Sequence, residues 1–119
     1  MPEYNGKIMK DNNVIEWLLQ EDVIPIVKKA AEKIKKLPGV LRIGYFGSFS
    51  RNDQAPGSDI DIFIELEKDD RRWIDRAADF IDYFRDVPCG VDIFAFTKEE
   101  MSDKDNKLFQ EIRQEVVEL

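Results

Sequence analysis

Residues 44–61 read Gly-Tyr-Phe-Gly-Ser-Phe-Ser-Arg-Asn-Asp-Gln-Ala-Pro-Gly-Ser-Asp-Ile-Asp, and their reading decides how the chain folds. The apolar run at 43–46 has the character of a buried strand that stops abruptly at Gly47-Ser48. After a polar loop, residues 58–64 (Ser-Asp-Ile-Asp-Ile-Phe-Ile) form a second apolar run with aspartates at alternate positions. Side chains two apart on a strand share a face, so Asp59 and Asp61 project together while Ile60 and Ile62 point the other way. Two carboxylates about 6 Å apart repel by roughly 3 kcal/mol at an effective dielectric near 20. A cation held between them converts that repulsion into binding.

Working outward, branched and aromatic residues make 40–46 the first strand. Gly47-Ser48 has the chemistry of a tight turn and a helix cap, which predicts one helical turn over 48–52. Pro56-Gly57 predicts a turn before the strand at 59–66. Upstream, Asp22 is an expected N-cap with Pro25 in the first turn, where a missing amide does no harm. Ile26, Val27, Ala30, Ala31, Ile34 and Leu37 then recur at helical spacing up to Pro38-Gly39. Before that, Asn12 or Asn13 is expected to cap a short helix carrying Val14, Ile15, Trp17, Leu18 and Leu19. Downstream, Trp73, Ile74, Ala77, Phe80, Ile81 and Phe84 predict one amphipathic helix over 71–85, its aromatics in the core. Residues 91–96 are the third strand, Thr97 with Glu100 a capping box, and Leu108 to Val116 a last helix or helix plus tail.

The strand–helix–strand segment 59–96 is expected to be a right-handed parallel unit, with the first strand antiparallel to the second. The fold class is therefore α/β (α+β): a small mixed sheet of three or more strands covered by helices. Residues 1–20 read as an N-terminal extension and 21–119 as one domain, since 119 residues support a single core.

Composition excludes several functions. The chain has 18 basic and 25 acidic residues, a net charge of −7, so it is not expected to hold nucleic acid stably by itself. With no histidine, Ser-His-Asp hydrolysis and histidine-ligated zinc are ruled out, and any metal is a hard, oxygen-ligated one. The one cysteine, Cys89, has no intrachain disulfide partner and suits a reducing cytoplasm as a small buried residue. No membrane-spanning run and no signal peptide are visible.

Asp92 is a third carboxylate, flanked by Val91 and Ile93 as the first pair is flanked by isoleucines. If the second and third strands are neighbours, Asp92 stands beside Asp59 and Asp61, and burial raises some of their pKa values. The alternative is three solvated strand ends. Gly47 allows close backbone approach, and free amides with the Ser48 hydroxyl suit phosphate oxygens, although a Gly-Ser turn alone is usually just a turn. Arg51 either reaches those phosphates or pairs with Asp53. Ser58 is either a turn residue or a ligand.

Gly47-Ser48-Phe49-Ser50-Arg51, then Ser58-Asp59-Ile60-Asp61-Ile62, then Val91-Asp92-Ile93 together resemble the DNA polymerase β-type nucleotidyltransferase superfamily. Within it the chain is similar to the minimal nucleotidyltransferases of prokaryotes, from about residue 23 to the C-terminus. The resemblance implies that Asp59 and Asp61 hold two magnesium ions (manganese being the substitute) and that Asp92 completes the site. It makes Gly47 and Ser48, with Arg51 and Ser58 as further candidates, the nucleotide-binding residues. Asp92 is the implied general base. Asn52 stands where many relatives have glycine after the arginine, and asparagine tolerates a left-handed backbone. The implied reaction moves a nucleoside monophosphate, AMP from ATP being favoured, onto an acceptor hydroxyl with loss of pyrophosphate. Because larger relatives use extra domains to hold the acceptor, the expected acceptor lies on a partner polypeptide or a second copy of the chain, or is a small molecule. The resemblance points to a helical HEPN-family toxin that this chain, as a cytoplasmic antitoxin, would modify. The rival expectations are a non-catalytic antitoxin that acts by binding alone and an antibiotic-modifying enzyme.

Overall fold

A computed structural model describes residues 20–55 and 57–119. The expected helix at 14–19 and most of the proposed N-terminal extension lie outside the described residues. The elements in order are α1 (Gln20–Ile34), β1 (Val40–Phe46), α2 (Ser48–Arg51), β2 (Ile60–Leu66), α3 (Trp73–Arg76), β3 (Val91–Thr97), α4 (Lys98–Met101), α5 (Lys107–Glu115) and β4 (Val117–Glu118). The strands form one mixed sheet in the order β3-β2-β1-β4. β1 runs antiparallel to β2 and to β4, while β2 and β3 are parallel, as expected for strands joined by a crossover.

Period-two alternation sorts the strand residues onto two faces. Ile60, Ile62 and Ile64, all fully buried, meet Val27, Ala31 and Ile34 of α1 together with Phe80 and Phe84. Each such isoleucine contributes on the order of 1.5–3 kcal/mol by burial. The opposite face carries Phe46, Phe63 and Phe96 under Phe109 and Ile112 of α5. Phe96 and Phe109 meet edge-on with ring centroids 4.7 Å apart, and Phe46 meets Phe94 at 5.3 Å. Asp61 and Asp92 belong to this second face by alternation, beyond the aromatic cluster.

Three local expectations are corrected. Asp22 does not cap α1, and Pro25 lies exposed inside the helix rather than in its first turn. Proline at an interior position costs about 3 kcal/mol, which burial of Val23 and Val27 one turn apart offsets. The helix also stops at Ile34, short of Pro38-Gly39, and turn hydrogen bonds carry the chain through Leu37.

The continuous helix over 71–85 is instead one α-turn followed by two 3₁₀ turns, Ala77–Asp79 and Ile81–Phe84. Arg76 anchors the segment to β3 and α4. Its side chain is only 2% exposed, and its guanidinium donates to the carbonyls of Asp69, Arg71 and Ala95 and to both oxygens of Glu100. Trp73 is 42% exposed, stacked on Phe94, rather than in the core.

Last, the chain does not end as a tail. Residues 117–118 add a fourth strand to β1, with Tyr45 opposite Val117 and Gly44 opposite Glu118. The capping box forms as expected, Thr97 accepting from the Glu100 amide while Glu100 accepts from the Thr97 amide.

Candidate active site

The site sits where β2 and β3 begin. Parallel register places Asp61 directly opposite Asp92, and the Ile60 amide donates to the Gly90 carbonyl at 2.9 Å, holding Asp59 beside them. Both of the required close approaches fall on glycines. A Cβ on Gly90 would lie 2.2 Å from Asp59 Oδ1, and one on Gly47 would lie 2.4 Å from Asp61 Oδ2. Gly47 also has φ 78°, a conformation that disfavours any side chain. Glycine at 47 thus does two things: it turns the strand into α2 and it leaves room for a carboxylate.

The electrostatics follow from this crowding. Burial first, then the charges of Asp92, Asp59 and Glu111, push the Asp61 carboxyl up to about 6, with Arg51 opposing. Asp92 is pushed up as well, by burial, by the Asp59 charge and by a hydrogen bond shared with Asp59. Three aspartates, with Glu111 near them, therefore share one site, and among the described residues Arg51 is the cation that opposes them at Asp61.

The residues expected to hold phosphate divide. Gly47 and Ser48 open α2, and Asn52 closes it in the left-handed conformation with φ 59°. The Gly47 amide donates to Glu115 Oε1 at 3.0 Å, and Arg51 Nη1 donates to both Glu115 oxygens at 2.9 and 2.8 Å. Arg51 also pairs with Asp53 at 3.1 Å, one of its two expected roles. The Ser58 hydroxyl accepts from the Ala55 amide at 2.8 Å and closes the loop, which is its turn-residue reading. Cys89 is partly buried behind Gly90, where burial raises its thiol pKa. Glu111 and Glu115 were not foreseen. They lie more than 50 residues downstream on α5, and nothing local in the sequence ties them to this turn.

A family model for the nucleotidyltransferase domain matches residues 27–119. The chain belongs to that family. Among solved structures, this nucleotidyltransferase-domain chain is similar in fold to a Sulfolobus solfataricus protein provisionally assigned as a nucleotidyltransferase. The two share 20% identity at a TM-score of 0.59, over 83% of this chain and 80% of the other. No curated protein matches the chain. The family accounts for the mixed sheet and for a nucleoside triphosphate as substrate class. Among the described residues no helix is long and apolar enough to cross a membrane.

The acids suit a divalent cation by chemistry: every donor is a hard oxygen, and their excess negative charge is what a cation would relieve. They are neighbours rather than a closed shell. Among the described residues no three acidic or thiol side chains converge as a ready metal cage.

Proposed function

We propose that this nucleotidyltransferase-domain chain transfers a nucleoside monophosphate, AMP from ATP in the reading we favour, to a hydroxyl on a partner protein. The observation that carries the reading is the in-register pairing of Asp61 with Asp92, beside Asp59 and against the Gly47 turn. In this reading Asp59, Asp61 and Asp92 hold magnesium, which when bound neutralises triphosphate charge and acidifies the acceptor hydroxyl. The α2 turn, through the Gly47 and Ser48 amides and Arg51, receives the β- and γ-phosphates. Ser58 holds the loop that leads into Asp59. Asp92, its carboxyl pushed up from the ordinary value by burial and by the Asp59 charge, takes the acceptor proton. The acceptor oxygen forms a bond to the α-phosphorus as the bond to the β-phosphate oxygen breaks, and pyrophosphate leaves. Positioning and charge carry the catalysis.

An apolar groove of about 380 Å³ runs from Asp92 past Trp73, Ile74, Ala77 and Ile81. Ile74 is 58% exposed there, so an acceptor with an apolar body fits beside the base. The same groove favours a second reading, an antitoxin that neutralises a helical HEPN-family partner by binding alone. One experiment separates the two. The chain is incubated with each labelled nucleoside triphosphate, magnesium or manganese, and the product of the adjacent gene. Label should move to the partner from ATP, and Asp59→Ala should abolish transfer. Full protection of cells by Asp92→Asn, with no transfer by the unaltered chain, would establish the binding reading instead.

A further inference from the structure

The Gly47 amide and the Arg51 guanidinium converge on one anion, and that anion belongs to the chain itself: the carboxylate of Glu115. We propose that Glu115 is a built-in competitor for the phosphate cradle, so that a polyphosphate must displace it and its presence lowers the affinity of the site. The inference rests on reading the Gly47–Arg51 turn as the phosphate cradle.

The carboxylate is brought there by an anchored backbone. Glu115 is the last residue of α5, whose Phe109 and Ile112 are buried against the sheet. Immediately beyond it β4 pairs with β1, the Leu119 amide donates to the Ile43 carbonyl at 3.0 Å, and Lys35 Nζ donates to the Leu119 carbonyl at 2.8 Å. Gly44 makes this docking possible, because a Cβ there would stand 2.5 Å from the Val117 carbonyl oxygen. Contacts on both sides of residue 115 thus deliver a carboxylate to the donors at the start of α2.

Release needs much less than arrival. The Glu115 side chain is 22% exposed and Arg51 47%, and exposed ion pairs are weak and screened by salt. Rotation about the Glu115 side-chain torsions frees both donors while α5 and β4 stay in place. A phosphate group carries more charge and more acceptor oxygens than a carboxylate, and the arginine fork suits it. Once displaced, Glu115 faces the incoming polyphosphate as a like charge, alongside Glu111 and Asp61. The net effect of its charge on anion binding is therefore unfavourable. A merely structural Glu115, one that orients Arg51 for phosphate, predicts the opposite sign.

The test is calorimetric titration of inorganic pyrophosphate with magnesium into the full chain and into its Glu115→Gln and Glu115→Ala variants, with folding checked by circular dichroism. Both variants should bind pyrophosphate at least about fivefold more tightly, about 1 kcal/mol, and equal or weaker binding overturns the inference, as does a lack of binding in every chain. In the unaltered chain, pyrophosphate should also shift the nuclear magnetic resonance signal of the Glu115 carboxylate carbon; an unmoved signal overturns the inference even where a variant fails to fold. Pyrophosphate probes the cradle without any transfer. Tighter binding with no nucleotidyl transfer would sink the enzyme reading alone, whereas transfer with unimproved pyrophosphate binding would sink this inference alone.

Discussion

At the far end of β2 and β3 the chain wraps a cation in anions, and at the near end it gathers anions around almost no cation. Arg76 is buried among Glu100, Asp69 and three backbone carbonyls, and its guanidinium holds the Glu100 carboxyl below the usual carboxylate range. Some 15 Å away, at about 3.3 Å per residue along the strand, Asp59, Asp61 and Asp92 crowd one another and their pKa values move the other way where they move. The same two strands support both clusters. Where the charges are balanced the cluster is structural, because removing a partner leaves an orphan. Where they are unbalanced it is a liability to the fold that a bound cation would relieve, which is the mark of a functional site in the reading proposed above.

The sharpest way to break that comparison is Asp61→Asn. Transfer should fall by at least about 10³-fold, or about 4 kcal/mol of barrier, while the chain becomes more stable. The sign follows from the proton count. With its carboxyl raised from 3.8 to about 6, folded Asp61 holds a proton between those values that the unfolded chain has lost. Its contribution is therefore fully present below about pH 4 and is lost as pH rises through about 6. At pH 7 Asp61 costs up to about 3 kcal/mol, which asparagine removes. Urea denaturation of both proteins at pH 4 and pH 7 measures the difference directly: near zero at the lower pH, with the variant ahead at the higher one. Magnesium should narrow the gap at pH 7 by stabilising only the unaltered chain. A less stable variant at pH 7 would place a structural partner beside Asp61.

At the other cluster the outcome should invert. Arg76→Met leaves Glu100 and Asp69 without their buried counter-charge and should cost about 3–5 kcal/mol, a fall in Tm of more than about 10 °C. Adding Glu100→Gln should recover part of the loss, because the orphaned acid goes with it. The transfer chemistry of the folded fraction should be unaffected. A single variant that lost less than about 1 kcal/mol would make Arg76 dispensable to the fold.

Gly47→Ala probes the join between fold and site. The added Cβ meets Asp61 Oδ2 and the backbone holds φ 78°, so strain of about 1–3 kcal/mol is expected. Transfer should fall with it, since Asp61 is the group that has to move. Gly57→Ala is the control: it has a similar φ of 83° but nothing within 4 Å of its Cβ. It should show the backbone strain alone, without the loss of transfer.

These contrasts also show which parts of the molecule could be read from sequence. Asp59 and Asp61 were legible because strand alternation is local, and Asp92 because a parallel crossover unit leaves little choice of neighbour. The Thr97–Glu100 capping box and the left-handed Asn52 are likewise local chemistry. Arg76 was hidden because its partners Glu100 and Ala95 are distant in sequence, and apolar spacing of three or four cannot separate an α-helix from successive 3₁₀ turns over a dozen residues. Glu115 was hidden for the same reason: its partners Gly47 and Arg51 lie 68 and 64 residues away. β4 is two residues long, too short for any pattern, and it exists because Gly44 lets it approach.

The smallest effect tests whether the two clusters are independent. Thr97 caps α4 with its hydroxyl, and Glu100 closes the box while also holding Arg76. Thr97→Ala removes the cap that the Glu100 amide donates to and should cost about 1 kcal/mol of stability. If the balanced cluster is only structural, nucleotide affinity and the transfer rate should be unchanged, because Asp92 lies five residues up the strand on the far side of the Phe94–Phe96 packing. A change in either, measured at a temperature where both proteins are fully folded, would mean that β3 transmits strain from one end to the other. Asp92 would then be positioned partly by Arg76, and the two ends of the sheet would form one coupled device rather than a scaffold and a site.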